Sequence, residues 1–370
     1  MGFGLFVPEF RASFQMSASV VGLVSGLAFL GFLIGLLVAE AMLLRRGPRA
    51  PVLTGLLAAT VGMAIVALAP SLPVLAGGVF VAASSAGFAW TPFNDAVHRN
   101  VGDADRPAAF ATISTGTSVG IVGAGLAALG TALTGLSWRA CWGFFAVAGA
   151  LALLANRAGL RRVGKAPAES HGPTWRDLLT VSAAPLFAIG FIFGVTTAIY
   201  ISFAADHLVE TGGVPGVPTP AAPALLFLFY GLFGLTGLYT GRVKARLGLP
   251  VLLRALMLSG ALSFVLFAFT RESWAGLVGS AGLQGIHVMM TSAVLALWSE
   301  RLFPALPALG FTATLLATAA GSVVGPALAG VASDTFGASA MFIGAAALPA
   351  IAAAALRDRH ARERPAAAEG

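Results

Sequence analysis

Glu40-Ala-Met-Leu-Leu44-Arg45-Arg46-Gly47-Pro48-Arg49 and Gly241-Arg242-Val-Lys244-Ala245-Arg246-Leu-Gly248 are two versions of one short basic loop. Each closes a long apolar run and opens another. Arg45 and Gly47 register with Arg246 and Gly248 at one common offset, so the chain reads as two related halves.

Outward from these loops, about eleven apolar stretches of membrane-spanning length run between Val20 and Leu356, separated by short polar turns. Numbering the turns alternately inside and outside places all but three of the 22 Lys+Arg on one face; only Arg11, Arg139 and Arg271 fall on the other. A wrong segment count would scramble that asymmetry. Basic loops stay on the cytoplasmic side, so the basic face is read as inside.

The composition agrees. Hydrophobic residues make up 58% of the chain and charged residues 10%, against about 25% charged in soluble domains. A helix crosses the hydrocarbon core with about 20 residues and bonds its own backbone there. β-Barrel strands would show short alternating segments instead. The fold class is therefore all-α, a polytopic bundle of transmembrane helices. The net charge of +7 reflects orientation signals facing anionic lipid rather than nucleic-acid binding. The single cysteine, Cys141, excludes an internal disulfide framework and a multi-cysteine metal site. Twenty arginines against two lysines, with abundant Ala and Gly, suggest a bacterial source.

Helices are expected at about 18–44, 51–69, 73–98, 107–130, 137–157, 180–203, 223–242, 249–270, 273–299, 307–332 and 336–356. Residues 1–8 read as the end of a further helix, too short to span. The natural chain is accordingly expected to begin roughly ten to twenty residues upstream, to complete a span of about 20. The division is 1–157 for the first helix bundle, 158–179 for a cytoplasmic linker, 180–356 for the second bundle and 357–370 for a cytoplasmic tail. Residues 204–222, with Asp206, His207 and Glu210, read as an outer loop. Tyr239, Trp274 and Trp298 read as interface anchors. The spacings Gly116-x3-Gly120 and Gly231-x5-Gly237 read as places where helices approach closely.

On these residues the chain resembles the major facilitator superfamily (MFS). The two basic loops echo its Gly-x-Leu-Ala-Asp-Arg-x-Gly-x-Arg loop at 35–49 and 237–248, through Arg45, Gly47 and Arg49 in one half and Arg242, Arg246 and Gly248 in the other. Gly4-Leu-Phe-Val-Pro8-Glu-Phe-Arg11, Gly87-Phe-Ala-Trp-Thr-Pro92 and Ser114-Thr-Gly116-Thr-Ser-Val-Gly120 most resemble the bacterial subgroup labelled YbfB/YjiJ-like. The resemblance implies two six-helix halves with pseudo-two-fold symmetry, the first helix truncated. It also implies a secondary transporter of the bacterial inner membrane, moving a small solute by alternating access with protons as the coupling ion. It implies a monomer, no cofactor, and a bilayer and a solute as partners. Two departures stand out: the loop aspartate is Leu44 in one half and Ala245 in the other, and helix 5 lacks the Gly-Pro element of drug/proton antiporters. The lost aspartates keep open a second reading, a membrane sensor or scaffold that retains the fold.

Family architecture puts helices 1, 4, 7 and 10 around a central cavity. Polar residues within the membrane are costly and face a cavity or another helix. Ser280, Gln284, His287 and Thr291 fall at i, i+4, i+7 and i+11 and form a single stripe on helix 10. His287, mid-helix, can handle a proton or a solute; the plainer reading is a neutral histidine bonded to a neighbouring helix. Helix 4 offers Trp90 and Thr91 for the solute, and Asp95 and His98 for a gate or for interfacial solvation. Tyr200 and Tyr230 supply an aromatic face with a hydroxyl. Glu40 reads as a proton carrier or as the partner of Arg45. No Arg or Lys sits near mid-membrane, which favours neutral, weakly acidic or amphipathic solutes. No metalloprotease, serine-hydrolase or phosphate-loop motif occurs, so an enzyme or an ATP-driven pump is not expected.

Overall fold

The computed structural model describes residues 2–102, 105–160, 183–270, 272–304 and 307–357; the side chains of Thr91, Asp95 and His98 fall outside that description. Among the described residues every regular element is helical: α1 (Gly2–Leu5), α2 (Val7–Phe14), α3 (Ala18–Arg46), α4 (Arg49–Ala67), α5 (Leu72–Asn100), α6 (Arg106–Thr134), α7 (Trp138–Gly159), α8 (Ala184–Glu210), α9 (Ala222–Gly234), α10 (Thr240–Leu247), α11 (Leu249–Thr270), α12 (Trp274–Leu302), α13 (Pro307–Phe336) and α14 (Ala338–Ala355). A 3-10 turn over Leu235–Tyr239 joins α9 to α10 within one span. Eleven helices are long and apolar enough to cross a membrane.

The pairing of helices repeats between the halves. In the first, α3 packs on α5, and α4 packs on both α5 and α7. In the second, α9 packs on α12, and α11 packs on both α12 and α14. Two long seams join the halves: α3 lies along α13, and α6 lies along α9. These are equivalent pairs under the same two-fold, which is the architecture expected of two six-helix halves.

Both seams are made by glycine. A Cβ on Gly22 would collide with the carbonyl oxygen of Pro326, and one on Gly330 would stand 2.5 Å from that of Ala18. Across the other seam a Cβ on Gly125 would stand 3.1 Å from the Ala224 oxygen, and one on Gly231 would stand 3.0 Å from the Val122 nitrogen. Lipid tails are as apolar as leucine, so burial of leucine does little to bring spans together. Close approach of backbones does more. Of the spacings singled out in the sequence, Gly231 and Gly237 are such contacts, whereas Gly116 and Gly120 face open space.

Three further expectations are corrected. The outer loop is shorter than 204–222, because α8 runs on through Asp206, His207 and Glu210. His207 is buried against Phe342 with ring centroids 5.4 Å apart, which carries the helix past the apolar run. Residues 2–14 form two short helices rather than one stub, and they pack on the outer end of α8. Phe3, Phe6 and Phe10 interlock there with Trp138 and Trp142. Trp298 is fully buried, while Tyr239 and Trp274 are exposed as interface anchors should be. Nearly all of the linker and the tail lies outside the described residues.

A cysteine at position 212, in a Cys141→Ala background, is expected to react with an impermeant maleimide in whole cells, and one at position 168 is expected to be protected. Labelling at 168 without labelling at 212 would reverse the topology.

Candidate functional site

The two basic loops are built alike. Gly47 and Gly248 cap α3 and α10 with φ of 74° and 76°, a left-handed region that glycine enters without steric cost. Each glycine donates its N–H to the carbonyl four residues back, Leu43 and Lys244 respectively. The shared glycine of the sequence repeat is thus a shared helix stop. It holds Arg45, Arg46 and Arg49 at one helix end and Arg242 and Arg246 at the other. Glu40 does not pair with Arg45. Its carboxylate faces Thr312 of α13, across the seam between the halves, and its Oε2 makes no hydrogen bond.

The helix-10 stripe is real. Ser280, Gln284, His287 and Thr291 of α12 all have zero exposure. Its surroundings differ from the expected cavity between the halves. The His287 ring lies between α8 and α11: Nδ1 donates to the Leu256 carbonyl at 2.7 Å, and Phe193 stands edge-on at 5.6 Å. A Cβ on Gly260 of α11 would be 3.1 Å from the imidazole. Because a carbonyl only accepts, the proton sits on Nδ1, and Nε2 is left as an unpaired acceptor. Ser280 shares a hydroxyl bond of 2.9 Å with Tyr200, and Ser263 donates to the Ser280 carbonyl at 2.8 Å. Tyr200 and Tyr230 stack at 6.4 Å. This part of the stripe is therefore the polar core of the second half. A rigid-body rearrangement of the halves leaves such contacts intact.

A different subset has hydrogen-bonding capacity to spare. Both ends of the Gln284 amide, the Tyr230 hydroxyl and the Thr291 hydroxyl are buried without a partner. So is the Thr197 hydroxyl. Trp90 is half-buried on α5.

The outer ends of the two halves are clasped by carboxylates, none of which was assigned a role from sequence. Asp334, at the outer end of α13, accepts from the backbone N–H of Ala18 at 3.0 Å and of Ser19 at 2.8 Å. Ser17 Oγ accepts from Val20 N at 3.3 Å, and Val21 N bonds to Ser17 O. All four orphan donors at the start of α3 are thereby satisfied, two of them by the other half. The carboxylate also meets the positive end of the helix dipole. Alongside, the Arg11 guanidinium bonds Asp206 and Glu210 of α8 while its Nε donates to Met16 O at 3.0 Å. Every anion of this clasp comes from the second half and every donor from the first. The signals were present in the sequence: Arg11 was one of three cations on the wrong face, and Asp206 and Glu210 stand one turn apart.

Two substitutions separate these roles. His287→Ala is expected to lower stability by about 2–4 kcal/mol through the cavity and the lost hydrogen bond. Gln284→Met removes two buried unpaired groups at nearly constant shape, so its stability is expected to match or exceed that of the parent. Thermal unfolding in detergent measures both; the reverse order would mean that the stripe is misassigned. Gly22→Leu is expected to cost at least about 1–3 kcal/mol by overpacking the α3–α13 seam, visible in the same assay.

No curated protein matches the chain in sequence. Solved transporters share its fold. The nucleoside transporter NupG superposes with a TM-score of 0.74 at 14% identity, covering 96% of this chain and 94% of that one. A bacterial homolog of the human lysosomal transporter Spinster, in an inward-facing and occupied conformation, gives 0.74 at 17%, covering 99% and 95%. A POT family transporter in complex with a thioalcohol-conjugated peptide gives 0.72 at 16%, covering 91% and 85%. The model of the Major Facilitator Superfamily matches residues 1–302. With that match, the repeated helix pairing and the paired glycine-capped loops, the chain belongs to the Major Facilitator Superfamily.

Proposed function

We propose that this protein is a secondary active transporter of the bacterial inner membrane, of the YbfB/YjiJ-like subgroup, that moves a small neutral, weakly acidic or amphipathic solute by alternating access with protons as the coupling ion. The observation that carries the reading is the clasp between the outer ends of the halves. A sensor or scaffold has no need of a reversible joint there. The Asp334 and Arg11 contacts are polar, few and confined to the outer ends, as a gate requires. The conformation is one closed to the outside.

Gln284, Tyr230 and Thr291 are the groups proposed to meet the solute, joined by Trp90 and Thr91 from the first half. Their spare donors and acceptors suit a molecule that hydrogen-bonds without formal charge. Tyr200 and His287 support them from behind. The family resemblance makes Asp95, His98 and Glu40 the candidates for gating and proton coupling. Glu40 adds a carboxylate at the seam, one turn before the position where the family loop carries its aspartate.

The direct test is uptake into proteoliposomes under an imposed pH gradient, with a panel of uncharged and weakly acidic solutes. Uptake that collapses with a protonophore and in Gln284→Met is the expected outcome. Binding without flux, across a panel that stabilises the protein thermally, would favour the sensor reading instead.

The clasp has its own test. Ser25 is buried on α3, so a cysteine there, with Cys141→Ala, reports opening of the outer side. Arg11→Ala combined with Asp334→Asn is expected to speed its labelling from outside by tenfold or more, given that about 1.4 kcal/mol of lost closure is a factor of ten. An unchanged rate would show that the clasp does not hold the gate.

A further inference from the structure

The first half carries two grooves that face away from the second. One side of α3 is apolar and exposed along its whole length, through Leu23, Ile34, Leu37 and Ala41. In a helix that spans the membrane this is the side that meets lipid. Toward the basic face it deepens into a groove of about 410 Å³ lined by Leu37, Val38, Ala41, Met42, Arg45 and Arg46. Leu37, Ala41 and Arg45 stand at successive i, i+4 positions, and Val38, Met42 and Arg46 do the same. Two adjacent apolar columns therefore each end in a guanidinium. Ten residues of helix measure about 15 Å, the depth of one leaflet of a hydrocarbon core about 30 Å thick.

The second groove, about 290 Å³, lies between α4 and α7 and is lined by Leu53, Thr54, Leu57, Leu153 and Leu154, with Arg157 at its end. It repeats the design at the same membrane face. Among the described residues Arg45, Arg46 and Arg157 make no ion pair, in contrast to Arg11.

We propose that each groove seats one anionic phospholipid of the leaflet on the basic face, with an acyl chain along the apolar column and the phosphate on the guanidinium at its end. The planar guanidinium offers paired donors that match phosphate oxygens. Charge selects the class of lipid. A phosphatidylcholine headgroup brings a cation of its own against Arg45 and Arg46, whereas phosphatidylglycerol brings none. The grooves differ from generic attraction between a basic face and anionic lipid because they join charge to a fixed apolar seat.

The test is native mass spectrometry of the full chain released from nanodiscs of phosphatidylcholine containing a minor fraction of phosphatidylglycerol. Phosphatidylglycerol is expected to be retained roughly tenfold above its bulk share. Arg45→Ala/Arg46→Ala is expected to lose one tightly held lipid and Arg157→Ala another. Arg242→Ala/Arg246→Ala, which changes the related loop of the other half, is expected to lose none. Ala41→Trp fills the first groove while keeping both guanidiniums, and it is expected to lose the same lipid as the arginine pair. Retention in proportion to the bulk, or equal loss from both loops, overturns the proposal in favour of surface charge. Retention in Ala41→Trp overturns the seated chain, and displacement by inorganic phosphate at low millimolar concentration overturns the lipid as occupant.

Discussion

Within a bilayer, a polar group that finds no partner in the protein finds none at all, and apolar surface gains little by turning inward. The architecture of this chain follows from that constraint. Backbone groups close on themselves in helices. The helices are then held by the close contacts that glycine permits and by the few polar pairs that remain. The two seams between the halves show both devices: glycine opposite carbonyl along their length, and carboxylates at the outer end of one.

The same constraint sorts the buried polar side chains into two kinds. Tyr200, Ser263, Ser280 and the Nδ1 of His287 satisfy one another or a nearby carbonyl. They hold α8, α11 and α12 together as one body. Gln284, Tyr230 and Thr291 are equally buried and unsatisfied. Leaving such groups unpaired costs about 1–3 kcal/mol each, a burden that a binding surface has a reason to carry and a structural core does not. This division is sharper than residue type alone suggests, since the satisfied and unsatisfied members share one helical stripe.

The clasp and the stripe complement each other mechanically. Asp334 joins the halves by capping the start of a helix in the other half, so the joint can break without unfolding either. The α3 N-terminus then exchanges a carboxylate for water at the membrane surface, which makes opening inexpensive in hydrogen bonds. The polar core of the second half is insulated from that movement, because its partners all travel together.

The sequence by itself determined the class, the number of spans, the orientation signal and the two-fold repeat. Hydropathy, loop charge and glycine spacing are local properties that lipid acts on directly. It also identified the stripe on α12, because helical periodicity is enough to place four residues on one face. It could not say which neighbour that face meets. His287 turned to Leu256 and Gly260 rather than to the other half, and Glu40 turned to Thr312 rather than to Arg45. Each outcome depends on the rotation of whole helices about their axes. The clasp was out of reach for the same reason. Arg11 and Asp206, and Asp334 and Ala18, are far apart in the chain and come together only when the halves close. A lone aspartate at a helix end reads as solvated until the opposite helix is in place.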